Sequence, residues 1–195
     1  MLFRVSEAEL FRQWREDEDM DVEGLLERLR GDVPPSPAMA AGTAFHRALE
    51  LAGPCVAPTL EADGYTFRFD CDVTIALPEI RELRASRDYG GIVITGQVDA
   101  LHGLRVEDHK TTGSFDADRY LGGYQWRYYL DIFGARVFRW SVFEIAEDEP
   151  KVYRVRAFHQ LEQHAYPAMH QDCRRLALDL RDFAAEHMPE RHAAA

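Results

Sequence analysis

The first third of the chain carries apolar residues at helical steps, and the remainder alternates between helical and two-residue periods. Ser6-Glu7-Ala8-Glu9 reads as a capping box, with Ser6 as N-cap and Glu9 reaching back. Leu10, Phe11 and Trp14 then fall on one side of a short helix ending near Trp14. REDEDMD (15–21) is a solvated turn or helix start, and VEGLLERLR (22–30) is a second helix. GDVPPSP (31–37) breaks the pattern. Ser36 caps a third helix, with Pro37 at its first position, that runs to about Leu51.

From Tyr65 the period falls to two. YTFRFDCDVTIAL (65–77) is rich in aromatic and β-branched residues and reads as a strand. PEIRELRASRDYGG (78–91) is polar and reads as a short helix or a long turn. IVITGQVDAL (92–101) and RVEDHKTT (105–112) are two strands. SFDADRYLGGYQWRYYLDIFG (114–134) contains a helix, with Gln125, Tyr128, Tyr129 and Ile132 at helical spacing and Gly134 as its stop. ARVFRWSVFEIA (135–146) and KVYRVRAF (151–158) form a hairpin around EDEP. Met169, Cys173, Leu176, Leu180 and Phe183 line one face of a final helix that starts or kinks at Pro167. The order predicts one mixed α/β domain: a helical N-terminal segment over 1–35, a core over 36–160 and a C-terminal helix over 161–187.

Composition narrows this picture. Of 195 residues, 46% are hydrophobic and 29% charged, which suits an ordinary globular core. No stretch approaches the roughly 20 apolar residues of a membrane span, so no membrane role is expected. The N-terminus has no signal-peptide pattern. Cys55, Cys71 and Cys173 form no CxxC pair, and an odd count argues against a disulfide framework, so a reducing cytoplasm is expected. The net charge of −11 excludes coating of nucleic acid by bulk electrostatics, although a local basic groove is compatible with it. It also suits a site that concentrates divalent cations.

The chemistry concentrates in GQVDALHGLRVEDHK (96–110). With Gly103-Leu104 as a type II′ turn, His102 faces Arg105, Leu101 faces Val106, Ala100 faces Glu107 and Asp99 faces Asp108. Opposed side chains on a hairpin have Cβ atoms about 5 Å apart. Asp108 and Lys110 share a face and His109 points away, so Asp99, Asp108 and Lys110 converge. Two readings fit: a surface salt-bridge cluster around Lys110, or two carboxylates gathered around a divalent cation.

Gly96-x-x-Asp99 followed by Asp108-x-Lys110 resembles the core of the PD-(D/E)XK nucleases. His46 within GTAFHRALE on the preceding helix, and Gln125-x-x-x-Tyr129 on the following one, narrow the resemblance to RecB-type nuclease domains, relatives of which include phage exonucleases. The resemblance implies a restriction-endonuclease-like mixed β-sheet core flanked by helices. It implies Mg²⁺ or Mn²⁺ held by His46, Asp99, Asp108 and the backbone carbonyl of His109, with Glu50 a further candidate. Lys110 would position the attacking water, and Gln125 and Tyr129 would contact the substrate phosphate. Arg119, Tyr124 and Arg127 are candidates for a DNA groove and equally for ordinary surface. Glu107 is expected to face away. The cysteines do not match the four-cysteine arrangement of the iron–sulfur members, so no iron–sulfur cluster is expected. The implied activity is metal-dependent DNA hydrolysis, exonucleolytic by preference, in recombination, repair or phage DNA processing. A partner protein and a homo-oligomer are compatible with it. Two alternatives stand beside it: a retired nuclease fold that binds DNA or protein, and an RNA-directed or structure-specific endonuclease.

Overall fold

A long antiparallel hairpin anchors the sheet. The computed structural model describes residues 1–17, 19–52, 57–73 and 80–191. The elements run β1 (Leu2–Arg4), α1 (Val5–Glu16), α2 (Val22–Arg30), α3 (Pro37–Leu51), β2 (Thr59–Ala62), β3 (Tyr65–Phe69), β4 (Arg81–Asp88), β5 (Val93–His102) and β6 (Arg105–Thr112). After these come α4 (Asp118–Leu121), α5 (Gln125–Phe133), β7 (Val137–Glu149), β8 (Val152–His164) and α6 (Met169–His187). All eight strands join one mixed sheet in the order β1-β5-β6-β7-β8-β3-β2, with β4 on β5. The β7–β8 hairpin is longer than the alternating stretches predict, since pairing extends out to Val137–His164.

The sheet separates two apolar layers. Alternation along β7 feeds both: Phe138, Trp140 and Val142 pack with α1, α2, α5 and α6, whereas Phe143 packs with Phe45 and Leu49 of α3 and Phe67 of β3. Ser36 caps α3 by accepting the Met39 N–H at 3.2 Å, with Pro37 in its first turn as predicted.

Several expectations are corrected. The cap of α1 is not Ser6 with Glu9. Arg4 is the N-cap, and Glu7 takes the Arg4 N–H at 2.6 Å, which leaves Glu9 free for another partner. The N-terminal segment is not wholly helical, because β1 lies parallel on β5. Residues 81–88 form a strand rather than a helix or turn. β4 needs no apolar alternation because it is an outer strand, wet on much of its surface, held by backbone pairing along β5. The C-terminal helix starts at Met169, because β8 claims residues up to His164. The strand from Tyr65 is described to Phe69; residues 74–79 of that expectation, and Cys55, lie outside the described residues.

One topological detail creates the site. Val93–Thr95 pair with both β1 and β4, and Ala100 pairs with both Arg81 of β4 and Glu107 of β6. A strand has two edges, so β1 and β6 must share the edge that β4 does not occupy. Between them, residues 96–99 of β5 pair with no strand on that edge among the described residues. Gly96 lies in this gap, and a Cβ built there would stand 2.6 Å from Cε1 of Tyr129. Glycine is therefore required for the ring to lie over the strand.

A Gly96→Ala substitution should destabilise the protein by about 1–3 kcal/mol through overpacking. Thermal denaturation should show a melting temperature several degrees lower, and an unchanged midpoint would refute the close approach.

Candidate active site

The site grows out of the β5–β6 hairpin. Gly103 takes φ +60° in the two-residue turn, and the pairs His102–Arg105, Leu101–Val106 and Ala100–Glu107 form as counted from sequence. The ladder stops there, one pair short of Asp99–Asp108. In place of the next rung, Oδ2 of Asp99 accepts the backbone N–H of His109 at 2.6 Å. A carboxylate acceptor makes this a short, charge-assisted bond.

α3 delivers the imidazole. Nδ1 of His46 lies 3.4 Å from the same Oδ2 of Asp99. Gly42, one turn earlier, brings α3 close to β6: a Cβ there would sit 3.1 Å from Oγ1 of Thr111. The His109 ring is also part of the cluster, with Nδ1 3.8 Å from Asp99 Oδ2. Its Nε2 is buried without a hydrogen-bond partner.

On β6, Lys110 reaches back to Asp108. Its Nζ is 3.0 Å from each carboxylate oxygen, but the geometry makes a hydrogen bond only to Oδ1. Oδ2 of Asp108 is therefore buried with a close cation and, among the described residues, no hydrogen bond. Lys110 keeps 32% of its side-chain surface exposed. It lines a cleft of about 250 Å³ together with Glu9, Arg119, Tyr120, Gln125 and Trp140. Tyr129 stacks its ring on Phe138 at 5.8 Å, and burial, reinforced by Asp108, raises its phenol above the ordinary value.

The charges are mutually adjusted. Burial disfavours the His46 imidazolium, but the Asp99 carboxylate outweighs it and holds His46 above its ordinary value. Burial alone would raise Asp99; His46, Lys110 and His109 together bring it below the ordinary carboxylate range. Asp108 moves the other way: burial, reinforced by Asp99, raises it despite Lys110. Burial lowers His109 to about 4, so its ring is neutral at neutral pH. Burial opposes the Lys110 ammonium, yet Asp108 and Asp99 raise its pKa above the ordinary lysine value.

His46, Asp99, Asp108, His109, Lys110, Gln125 and Tyr129 thus gather around the gap. Other predicted residues are engaged elsewhere. Glu50 pairs with Arg47 at 2.5 Å on the same helix. Arg127 stacks on Tyr124 and Trp126 at 4.5 and 4.6 Å and donates to the carbonyls of Gly122 and Gly123, so its guanidinium braces the turn before α5. Arg119 is the member of the proposed groove that lines the Lys110 cleft. Glu107, expected to face outward as a surface or supporting carboxylate, is buried against Arg105 at 2.9 Å. Sequence reasoning missed the imidazole of His109 and the role of Glu9, which accepts the N–H groups of Tyr124 and Gln125.

Among the described residues, no group of three or more His, Cys, Asp or Glu side chains is drawn together as a metal cluster. The donor types nevertheless fit a hard divalent cation. Two carboxylates and an imidazole flank the gap, and Asp108 Oδ2 is a buried acceptor without a hydrogen bond.

The pKa shifts set a pH window for the His46–Asp99 pair. A carboxyl lowered on folding adds stability present above its unfolded value and lost as pH falls; an imidazole raised on folding adds stability present below its unfolded value and lost as pH rises through the folded one. The ordinary values are 3.8 and 6.5, so both contributions coexist between them, and the imidazole's is lost as pH rises above 6.5 through its folded value. In chelator-treated protein, a double-mutant cycle of His46→Ala and Asp99→Ala by urea denaturation should give a larger coupling near about pH 5.5 than near about pH 8. Coupling that is equal or larger at the higher pH would contradict the charge assignment.

No family model matches the sequence, and no curated protein matches it. Among solved structures, the fold is similar to the one described as "Crystal structure of SSO0001", with a TM-score of 0.52 and 18% identity over 91% of this chain and 74% of that one. At that identity the likeness establishes a shared α/β architecture.

Proposed function

We propose that this chain is a metal-dependent phosphodiesterase that hydrolyses DNA, of the PD-(D/E)XK type that its motifs resemble. The observation that carries this reading is the placement of Asp99 and His46 beside the Asp108–Lys110 pair at the unpaired gap of the sheet, with Lys110 lining a cleft. His46, Asp99, Asp108 and the carbonyl of His109 would hold Mg²⁺ or Mn²⁺. When bound, such an ion lowers the pKa of water and polarises a phosphoryl oxygen.

The protein's own groups supply the remainder. Lys110 is flanked by Asp108 and Asp99, and its ammonium acts as a hydrogen-bond donor to the attacking water and the phosphate. Gln125 lines the same cleft and orients a phosphate oxygen, with Tyr129 one turn further along the same helix. Arg119 adds positive charge to the cleft of an acidic chain, which confines DNA contact to a groove or to a complex with a partner protein. Exonucleolytic action follows from the resemblance to the histidine-containing subgroup.

Purified protein incubated with linear duplex DNA, circular single-stranded DNA and RNA should degrade linear DNA in Mn²⁺ or Mg²⁺ and none of them in EDTA. Lys110→Ala should slow hydrolysis by about 100-fold or more with unchanged circular dichroism, in line with the loss of a positioned donor. Intact substrates with both metals would instead support a retired nuclease fold. Cleavage of the circular substrate or of RNA would favour the endonuclease or RNA-directed reading.

A further inference from the structure

Glu9 sits at a junction that the proposed chemistry does not use. It belongs to α1, and its side chain is 14% exposed. Oε2 accepts the backbone N–H groups of Tyr124 at 2.6 Å and Gln125 at 3.1 Å, more than 110 residues away in sequence. Oε1 accepts Nε and Nη2 of Arg12 at 3.0 and 2.8 Å and Nε2 of Gln13 at 3.3 Å. Both carboxylate oxygens are fully used.

The start of α5 depends on this carboxylate. Tyr124 is the N-cap and contributes no side-chain cap, so the first N–H groups of the helix need an outside acceptor. A negative charge there is also favoured by the helix dipole. Gly123 allows the approach, because a Cβ at that position would lie 3.2 Å from Glu9 Oε1. Arg127 braces the same turn through the carbonyls of Gly122 and Gly123. The first residue of the helix so fixed is Gln125. Glu9 and Gln125 both line the Lys110 cleft and also the neighbouring cavity of about 570 Å³ bounded by Arg4, Leu10, Val33 and Met39.

We infer that Glu9 is a positioning residue: it clamps the α5 N-terminus from α1 and thereby sets the direction of Gln125 toward the cleft floor at Lys110. The inference rests on the phosphodiesterase reading for its catalytic consequence, but the clamp itself has an independent readout. Neutral acceptors satisfy it partly. Glu9→Gln retains one acceptor oxygen and loses the charge, whereas Glu9→Ala leaves the N–H groups of Tyr124 and Gln125 to water.

Two measurements test it. Hydrogen exchange on the protein without DNA should show protection of the Tyr124 and Gln125 amides falling by about tenfold in Glu9→Ala and by less in Glu9→Gln, with the β7–β8 amides unchanged as the check that the fold persists. In cleavage assays, Glu9→Ala should lower kcat/KM by about tenfold in the wild-type background and by under about twofold in the Gln125→Ala background, since the clamp acts through Gln125. Unchanged amide protection would overturn the clamp. An equal loss in both backgrounds would overturn positioning and leave a purely structural role. If wild-type protein cleaves nothing, the phosphodiesterase reading falls, and exchange alone decides the clamp. Should Glu9→Ala fail to fold, Glu9→Gln carries both measurements.

Discussion

The structure turns on one unfilled stretch of strand edge. β5 is paired along one side by β4, while its other side is divided between β1 at Val93–Thr95 and β6 at Ala100–His102. Backbone donors and acceptors in the interval cannot be left buried and unpaired. Side chains occupy the interval: Asp99 takes the N–H of His109 from β6, and the Tyr129 ring lies over Gly96. A break in a sheet would ordinarily be a weakness. Here it allows polar side chains to enter the plane between two strands, with rigid pairing immediately above and below.

The same gap resolves the conflict between the two aspartates. A continuous ladder would set Asp99 and Asp108 directly opposite each other with like charges. Ending the ladder one pair early lets each acquire its own partner, the His46 imidazole for Asp99 and the Lys110 ammonium for Asp108. The consequences diverge. Asp99 also has a backbone donor and is lowered; Asp108, more deeply buried and with one oxygen lacking a hydrogen bond, is raised. Two chemically identical groups thereby become different by environment alone.

What sequence reveals follows from how local each determinant is. The hairpin register is fixed by Gly103 and by counting, and α3 by Ser36 and Pro37; both are encoded within a few residues and both form as read. β4 defeats the periodicity argument because an outer strand need not bury alternate residues, so RELRASRD looks like a turn until β5 is beside it. β1, at three residues, is too short to show a period at all. Within the site, the nearness of Asp99, Asp108 and Lys110 follows from counting back from the turn and His46 enters through the resemblance alone, whereas the early end of the ladder leaves no mark in the sequence. For Arg127 the sequence leaves groove and ordinary surface equally open, because what engages its guanidinium, two aromatic rings and the backbone carbonyls before α5, is visible only in the fold.

The N-terminal segment gains a different status from this geometry. Read from sequence, residues 1–35 are a helical attachment to a core beginning near Ser36. In the fold, Leu2–Arg4 supply the strand that closes one end of the gap, and α1 starts at the next residue. The same short piece of chain then places Glu9 at the start of α5. β1 and α1 are joined without a linker, with Val5 against Gly96 and Glu9 against Gly123, so one continuous piece of chain carries both the strand that bounds the gap and the carboxylate at the start of α5. A site assembled from α3, β5, β6 and α5 is in this way held by residues that precede all of them, and the boundary of the core lies at the first strand, not at the third helix.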